Sequence, residues 1–375
     1  METTTQLIRG DATSLSSIGD SAVNLVVTSP PYPMIEMWDD VFEQQRKGVR
    51  DALATNDGTR AFSLMHEVLD EAWNEVYRVL RPGGVACINI GDATRTIDRD
   101  FQLYSNHSRI LTSLLAGGFV SLPDILWRKP TNAPNKFMGS GMLPVGAYVT
   151  YEHEYILIVR KGLRREFKTP EEKAVRRQSA FFWEERNTWF SDIWVGIRGA
   201  KQQLVDQATR KRSAAFPFDL AFRLISMFSV KGDTVLDPFS GTGITSLAAM
   251  AAGRNSISVD LDEGLLSTTR TAIASLPEFA NQHIRARLLQ HAEFVRARIE
   301  SGKTLKHRNQ YYGFEVVTKQ EQELLFNDII SVADKNGLMT ATYDEEPQSD
   351  FVRDWSEEVA ELPSETRQLQ AQLNL

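Results

Sequence analysis

A single cysteine, Cys87, in a chain of 375 residues removes any internal disulfide and any cysteine-based zinc site. The six histidines show no ligand-like spacing, so no metal is expected. The opening residues lack the basic start and apolar run of a secretory signal, and no stretch nears the roughly 18 apolar residues of a membrane span. A cytoplasmic protein without membrane contact is expected. Positive charge is also scarce, since the formal net charge is −7. That speaks against a nucleic-acid partner, because affinity for DNA comes largely from lysine and arginine displacing counterions. The distribution reverses the impression: residues 160–212 hold 14 Lys and Arg against 7 Asp and Glu, and residues 314–375 hold 4 against 14. Such a basic segment is either a DNA-facing surface or a solvated charged face.

Helix and strand patterns alternate along the chain. Val23, Leu25, Val26 and Val27 form a short apolar run that stops at Pro30 and Pro31. Apolar residues from Phe62 to Leu80 recur at helical spacing, and Arg81-Pro82-Gly83-Gly84 ends them before the strand pattern Val85–Ile90. A helix over Ser108–Ala116 and strands over Ile125–Trp127 and Tyr155–Val159 follow. Beyond the basic, aromatic stretch come a helix at Phe218–Phe228, a strand at Thr234–Leu236, a helix at Thr245–Ala252, a strand ending at Asp260, and a long charged helix from Gln282 to about Glu300. This alternation predicts a parallel α/β sheet.

The run Asp237-Pro238-Phe239-Ser240-Gly241-Thr242-Gly243 follows a strand, and Asp260 ends the next one. Gly241 and Gly243 let the backbone turn sharply into a helix and approach a ligand, and an acid at the next strand tip can bond ribose hydroxyls. That geometry suits a nucleoside cofactor. A pyrophosphate loop would carry a third glycine in the G-x-G-x-x-G spacing, and Asp237 sits where it would repel an anion. A carboxylate there suits a cationic ligand such as S-adenosylmethionine.

Near the other end, Thr28-Ser29-Pro30-Pro31-Tyr32 also follows a strand, and α/β enzymes place their sites at such strand ends. Methyl transfer to an exocyclic amine needs acceptors that draw on the amino hydrogens. Ser29 and the Pro30 carbonyl are candidates. Pro31 stiffens that carbonyl, and Tyr32 offers a flat face to a base rotated out of a duplex.

Over most of residues 10–263 these segments resemble one known family, the amino-group-directed DNA methyltransferases of bacterial restriction-modification systems. The loop from Thr28 to Tyr32 is similar to the serine form of that family's catalytic loop, typical of cytosine N4 enzymes, and its place ahead of the glycine loop resembles the beta group. The resemblance implies a doubly wound, Rossmann-like α/β sheet with S-adenosyl-L-methionine as cofactor, held by Asp237 to Gly243 and Asp260, with Phe216-Pro217 and the residues after them closing over it. It also implies double-stranded DNA as partner, read by an inserted target-recognition region, here residues 163–207, in which Arg176, Arg177, Arg186, Arg198 and Lys201 are the expected DNA contacts. The catalytic half would then span residues 1–162, the cofactor half 208–276, and a helical, acidic extension 277–375. A cognate restriction endonuclease as second partner, and a monomer or a homodimer, stay open.

The target is either cytosine N4 or adenine N6, and a DNA-binding subunit without turnover is a third reading. Trp183, Trp189 and Trp194 either stack on bases or form the core of the insertion. Trp38 either lines the base pocket or anchors its loop. Cys87 lies inside an apolar strand without the Pro-Cys setting of cytosine C5 enzymes, so it is read as a small core hydrophobe.

Overall fold

The computed structural model describes residues 1–129, 143–146, 148–197 and 216–352. Its centre is an eleven-stranded sheet whose middle strands run parallel: β1 (Glu2–Arg9), β2 (Val23–Thr28), β3 (Leu80–Ile90), β10 (Thr234–Asp237) and β11 (Asn255–Asp260). They lie in the order β1-β11-β10-β2-β3. Beyond β3 the sheet becomes mixed. There β8 (His153–Lys161) runs antiparallel to β3, followed by β7 (Ile125–Arg128) and the short β9 (Ile193–Trp194), while β6 (Phe119–Ser121) pairs with β8.

Both faces of the sheet are covered, as near-continuous apolar strands require. Leu25, Val27, Cys87, Ile156 and Val235 pack into one core under the helices Phe218–Phe228, Ile244–Ala251 and Leu276–Glu300. Val23, Val26, Ile88, Leu157 and Leu236 pack into the other, under the helices Gly58–Val79 and Asn106–Ala116. Asp57 starts the longer of these last two by accepting from the Arg60 amide at 2.9 Å.

Three features go beyond the local pattern. The first strand, β1, is rich in threonine, a good strand former, and buries Thr3 and Thr5. A separate hairpin of β4 (Ala93–Ile97) and β5 (Asp100–Tyr104) rises beyond the end of β3; its turn holds Asp98 and Arg99 at positive φ without an Asn-Gly signal. The C-terminal extension begins with the expected helix, Leu276–Glu300, but then returns as strands. After the small pair β12 (His307–Arg308) and β13 (Glu315–Val316), β14 (Ile329–Lys335) and β15 (Leu338–Tyr343) continue the main sheet outward from β1.

The same extension decides what the aromatic insertion does. Phe182 stacks on His291 with ring centroids 3.8 Å apart, Arg287 holds Glu185 through two bonds of 2.6 and 2.9 Å, and His291 meets Glu184 at 2.7 Å. Trp189 and Trp194 are buried in this core, and Trp183 packs on Phe294 beneath Arg298. The tryptophans build structure.

Candidate active site

The chain leaves β2 toward β3 on one side and leaves β10 toward β11 on the other, so the neighbouring ends of β2 and β10 mark the point where the strand order reverses. Loops leaving such neighbours diverge and open a crevice at the carboxyl edge. Both candidate loops start there. Val235 and Leu236 pair with Leu25 and Val26, and one step further the Thr28 hydroxyl donates to Asp237 at 2.6 Å, joining residues 209 positions apart. The other Asp237 oxygen accepts from Thr245 at 2.7 Å, and the Phe239 amide donates to the first at 3.1 Å.

The crevice holds a cavity of about 390 Å³. Ser29, Pro30 and Pro31 form one wall, and the run Asp237 to Gly241 with Asp260 forms another. Asp260 is positioned by two amides, Gly241 N–H on one oxygen at 2.8 Å and Asp262 N–H on the other at 2.9 Å. Gly243 adopts φ +77°, and a Cβ on it would collide with Thr269, so the glycine is required by both conformation and space. Phe216 lines the cavity too, while Pro217 caps the helix behind it. Thr242 is buried beside the loop and Gly243 opens the following helix, both outside the lining.

A nucleoside with a cationic tail fits this lining. Phe239, Ile244, Leu261 and Leu265 supply apolar walls, and Asp260 offers acceptors. The Ser240 hydroxyl is buried against the cavity with no partner among the described residues, a polar atom that a ligand would satisfy. Burial pushes the Asp237 carboxyl up to about 6, against the bonds from Thr28 and Thr245 that favour its ionised form, and burial raises Asp260 as well. A cation in the cavity favours the ionised carboxylates, so cofactor binding near pH 5 has to expel a proton. Affinity for S-adenosylmethionine is therefore expected to fall as pH drops below about 6. Calorimetry in buffers of different ionisation heat should detect proton release at pH 5 and little at pH 7.5; equal affinity and no release at both would contradict it.

On the other side of the Pro30-Pro31 turn, the Tyr32 hydroxyl is tied into the protein. Ser29 Oγ donates to it at 3.2 Å and Asn89 Nδ2 at 2.9 Å, and it donates to Glu154 Oε2 at 3.0 Å. Asn89 also donates to Glu154 at 2.7 Å, and Lys129 pairs with the second Glu154 oxygen at 2.8 Å. Gly91 makes room: a Cβ there would lie 3.0 Å from the Tyr32 ring and 3.3 Å from Glu154.

Sequence reasoning passed over Asn89, Gly91, Glu154 and Lys129 as a group. The available signal was polar residues inside or beside the apolar strand patterns Val85–Ile90 and Tyr155–Val159. Gly10, Asp11 and Ala12, which line the cavity after β1, were missed because β1 itself was. Trp38 lines the cavity with Met37 and Val41. Of the expected DNA contacts, the described ones do not line the crevice. Arg176 sits over Phe167, and Arg177 is paired with Glu323 at 2.7 Å. Their helix, Pro170–Gln178, ends where Ser179 accepts from the Lys231 amide just ahead of β10, at the amino edge of the sheet opposite the crevice. Arg186 is exposed over Phe190, and Arg198 and Lys201 lie outside the described residues. Cys87 is buried in the sheet, where desolvation pushes its thiol upward and keeps it protonated.

The family model of DNA methylases with N6 and N4 specificity matches residues 23–271, a span that contains both loops and the strands that join them. The chain belongs to the N6/N4 DNA methylase family. This methylase is 49% identical over 325 residues to the type II methyltransferase M.MthZI of Methanothermobacter thermautotrophicus, covering 86% of this chain and 90% of that protein. It is also 49% identical over 271 residues to the type II methyltransferase M.MjaI of Methanocaldococcus jannaschii, covering 69% and 88%. Among solved structures, TTHA0409 of Thermus thermophilus in complex with S-adenosyl-L-methionine is similar, with a TM-score of 0.56 and 31% identity over 72% of this chain and 93% of that one. Among the described residues, no helix of the methylase is long and apolar enough to cross a membrane.

Proposed function

We propose that this methylase transfers the methyl group of S-adenosylmethionine to the N4 amino group of a cytosine turned out of duplex DNA. One observation supports the reading: the bond from Thr28 to Asp237 brings Ser29, Pro30 and Pro31 to the same cavity as the glycine loop, with Tyr32 just behind that wall. Bound S-adenosylmethionine would supply an electrophilic methyl on a sulfonium; as the amino nitrogen takes that methyl, the demethylated cofactor would leave as a thioether and one amino proton would pass to solvent. Ser29 Oγ and the Pro30 carbonyl accept the amino hydrogens and free the nitrogen lone pair. Pro31 holds that carbonyl in place before the substrate arrives, so little reorganisation is needed during reaction. The Tyr32 ring stacks on the extruded base while its hydroxyl stays pinned. Asp260 takes the ribose hydroxyls, and the charge of Asp237 complements the cationic end. In-line positioning supplies much of the rate.

DNA approaches the carboxyl edge of the sheet, where the crevice opens. Recognition falls to the chain after β9, with Arg198 and Lys201 as its cations, since Arg186 precedes a strand parallel to β3 and so lies toward the amino edge. The two type II relatives support a place in a restriction-modification system, with an endonuclease that cuts the same site. Serine in the catalytic loop is what favours cytosine. The test is to express the protein, digest host DNA to nucleosides and identify the modified one by mass spectrometry. N4-methylcytosine is expected; N6-methyladenine would move the target to the other amino base, and an unmodified genome would reduce the chain to a DNA-binding subunit.

A further inference from the structure

The hydroxyl of Tyr32 has one hydrogen to give and two lone pairs. In this structure all three are used: the hydrogen goes to Glu154 Oε2, and the lone pairs take Ser29 Oγ–H and Asn89 Nδ2–H. Asn89 cannot turn its amide around, since its carbonyl oxygen would then face the Glu154 carboxylate that Nδ2 now bonds at 2.7 Å. Glu154 is nearly buried, with its side chain 11% exposed, and the Lys129 ammonium on its outer oxygen balances its charge. Burial, together with that carboxylate, holds the Tyr32 phenol above its ordinary range, so the phenol keeps its proton and remains a donor.

From this chain of bonds we infer that Glu154 is a positioning residue for methyl transfer: acting through Tyr32, it turns the Ser29 hydroxyl hydrogen inward and leaves Ser29 Oγ able only to accept from the substrate. Hydrogen-bond direction propagates from the one member that can only accept. A carboxylate at Glu154 fixes Tyr32 as donor to it, and Tyr32 then fixes Ser29 as donor to Tyr32. What faces the crevice is a pair of lone pairs. An exocyclic amine, which donates, is matched there; the keto oxygen of thymine or of guanine, which accepts, is repelled. The network thus selects amino bases as a class and treats cytosine and adenine alike. The inference rests on Ser29 being the acceptor of the target amine.

Glu154→Leu removes the acceptor-only member, so nothing fixes Tyr32 as a donor away from Ser29, and the Ser29 hydrogen is free to point at the amine. Glu154→Gln keeps the direction, because its amide oxygen faces Tyr32 and Asn89, which both donate to Oε2, while its nitrogen takes the outer position beside the exposed Lys129 side chain. Single-turnover transfer of labelled methyl from S-adenosylmethionine to duplex DNA is expected to slow about 30-fold in Glu154→Leu, the order of one misdirected buried hydrogen bond, and Glu154→Gln should recover most of that loss. Affinity for cofactor and for DNA should stay at wild-type values. In a Ser29→Ala background Glu154→Leu should cost nothing further. An unchanged rate in Glu154→Leu, an equal loss in Glu154→Gln, or a loss of equal size with and without Ser29 overturns the inference. Full activity of Ser29→Ala alone sinks the reading of Ser29 instead, so the two failures are distinguishable. If Glu154→Leu does not fold, as judged by melting and cofactor binding, Tyr32→Phe alone serves: it keeps the ring and frees the serine, and a loss of several-fold in rate at unchanged DNA affinity is expected, whereas a wild-type rate contradicts the relay.

Discussion

Ser29→Ala should lower the rate of methyl transfer by about 10²- to 10³-fold while leaving cofactor affinity unchanged, the loss typical of removing one preorganised hydrogen-bond partner from a developing charge. The nitrogen lone pair is delocalised into the ring in the ground state and must localise as the new bond forms. An acceptor on the amino hydrogens helps only during that change. Its removal therefore falls on the chemical step and spares binding. Little else should move, because the Ser29 side chain bonds only Tyr32 among the described residues, and that contact, at 3.2 Å, is the longest in the network. Rapid-quench single-turnover measurement separates the step from product release. A rate within a factor of about three of wild type would remove Ser29 from the mechanism.

Asp260→Ala should weaken S-adenosylmethionine binding by about 10²-fold or more, since each lost charge-assisted hydrogen bond is worth about 1.5 to 3 kcal/mol. Two effects add. The carboxylate takes the Gly241 and Asp262 amides, one on each oxygen, and so shapes the loop that lines the cavity. It also presents remaining lone pairs to the ribose. Asp260→Asn keeps the size and removes one acceptor: an amide nitrogen must face one of the two backbone donors, so the isosteric change should do nearly as much damage as alanine. Titration by calorimetry, with melting curves to verify the fold, measures both variants. Wild-type affinity in Asp260→Asn would mean that the carboxylate neither shapes the loop nor holds the ribose.

Local pattern foretold those elements whose apolar period is uninterrupted. The helix at Phe218–Phe228 and the strands at β8 and β11 fall where the periodicity places them, because each must bury a face or two faces that the residues themselves define. Elements without such a face were silent. Thr3 and Thr5 of β1 carry a polar atom where a core strand usually carries a methyl, and they are buried only because Tyr343 and Ser256 supply hydrogen bonds of 2.8 Å to them. Likewise, Asp98 and Arg99 turn a hairpin with residues that seldom hold positive φ.

By itself the sequence determined the chemistry on offer: a serine-proline-proline-tyrosine loop, a glycine loop with two acids, no thiol in reach, and each loop at the end of a strand. What only the tertiary structure decided was which of these groups act together. Placing β10 next to β2 joins loops that are distant along the chain, and no local preference encodes that order. It also set Asn89 and Glu154, from β3 and β8, on the hydroxyl of Tyr32, and sent Arg176 and Arg177 to the far edge of the sheet. The physical reason is the range of the forces involved. Periodicity and turn chemistry act over a few residues, whereas strand neighbours are chosen by burial of whole faces, and the direction of a buried hydrogen bond depends on every partner it meets.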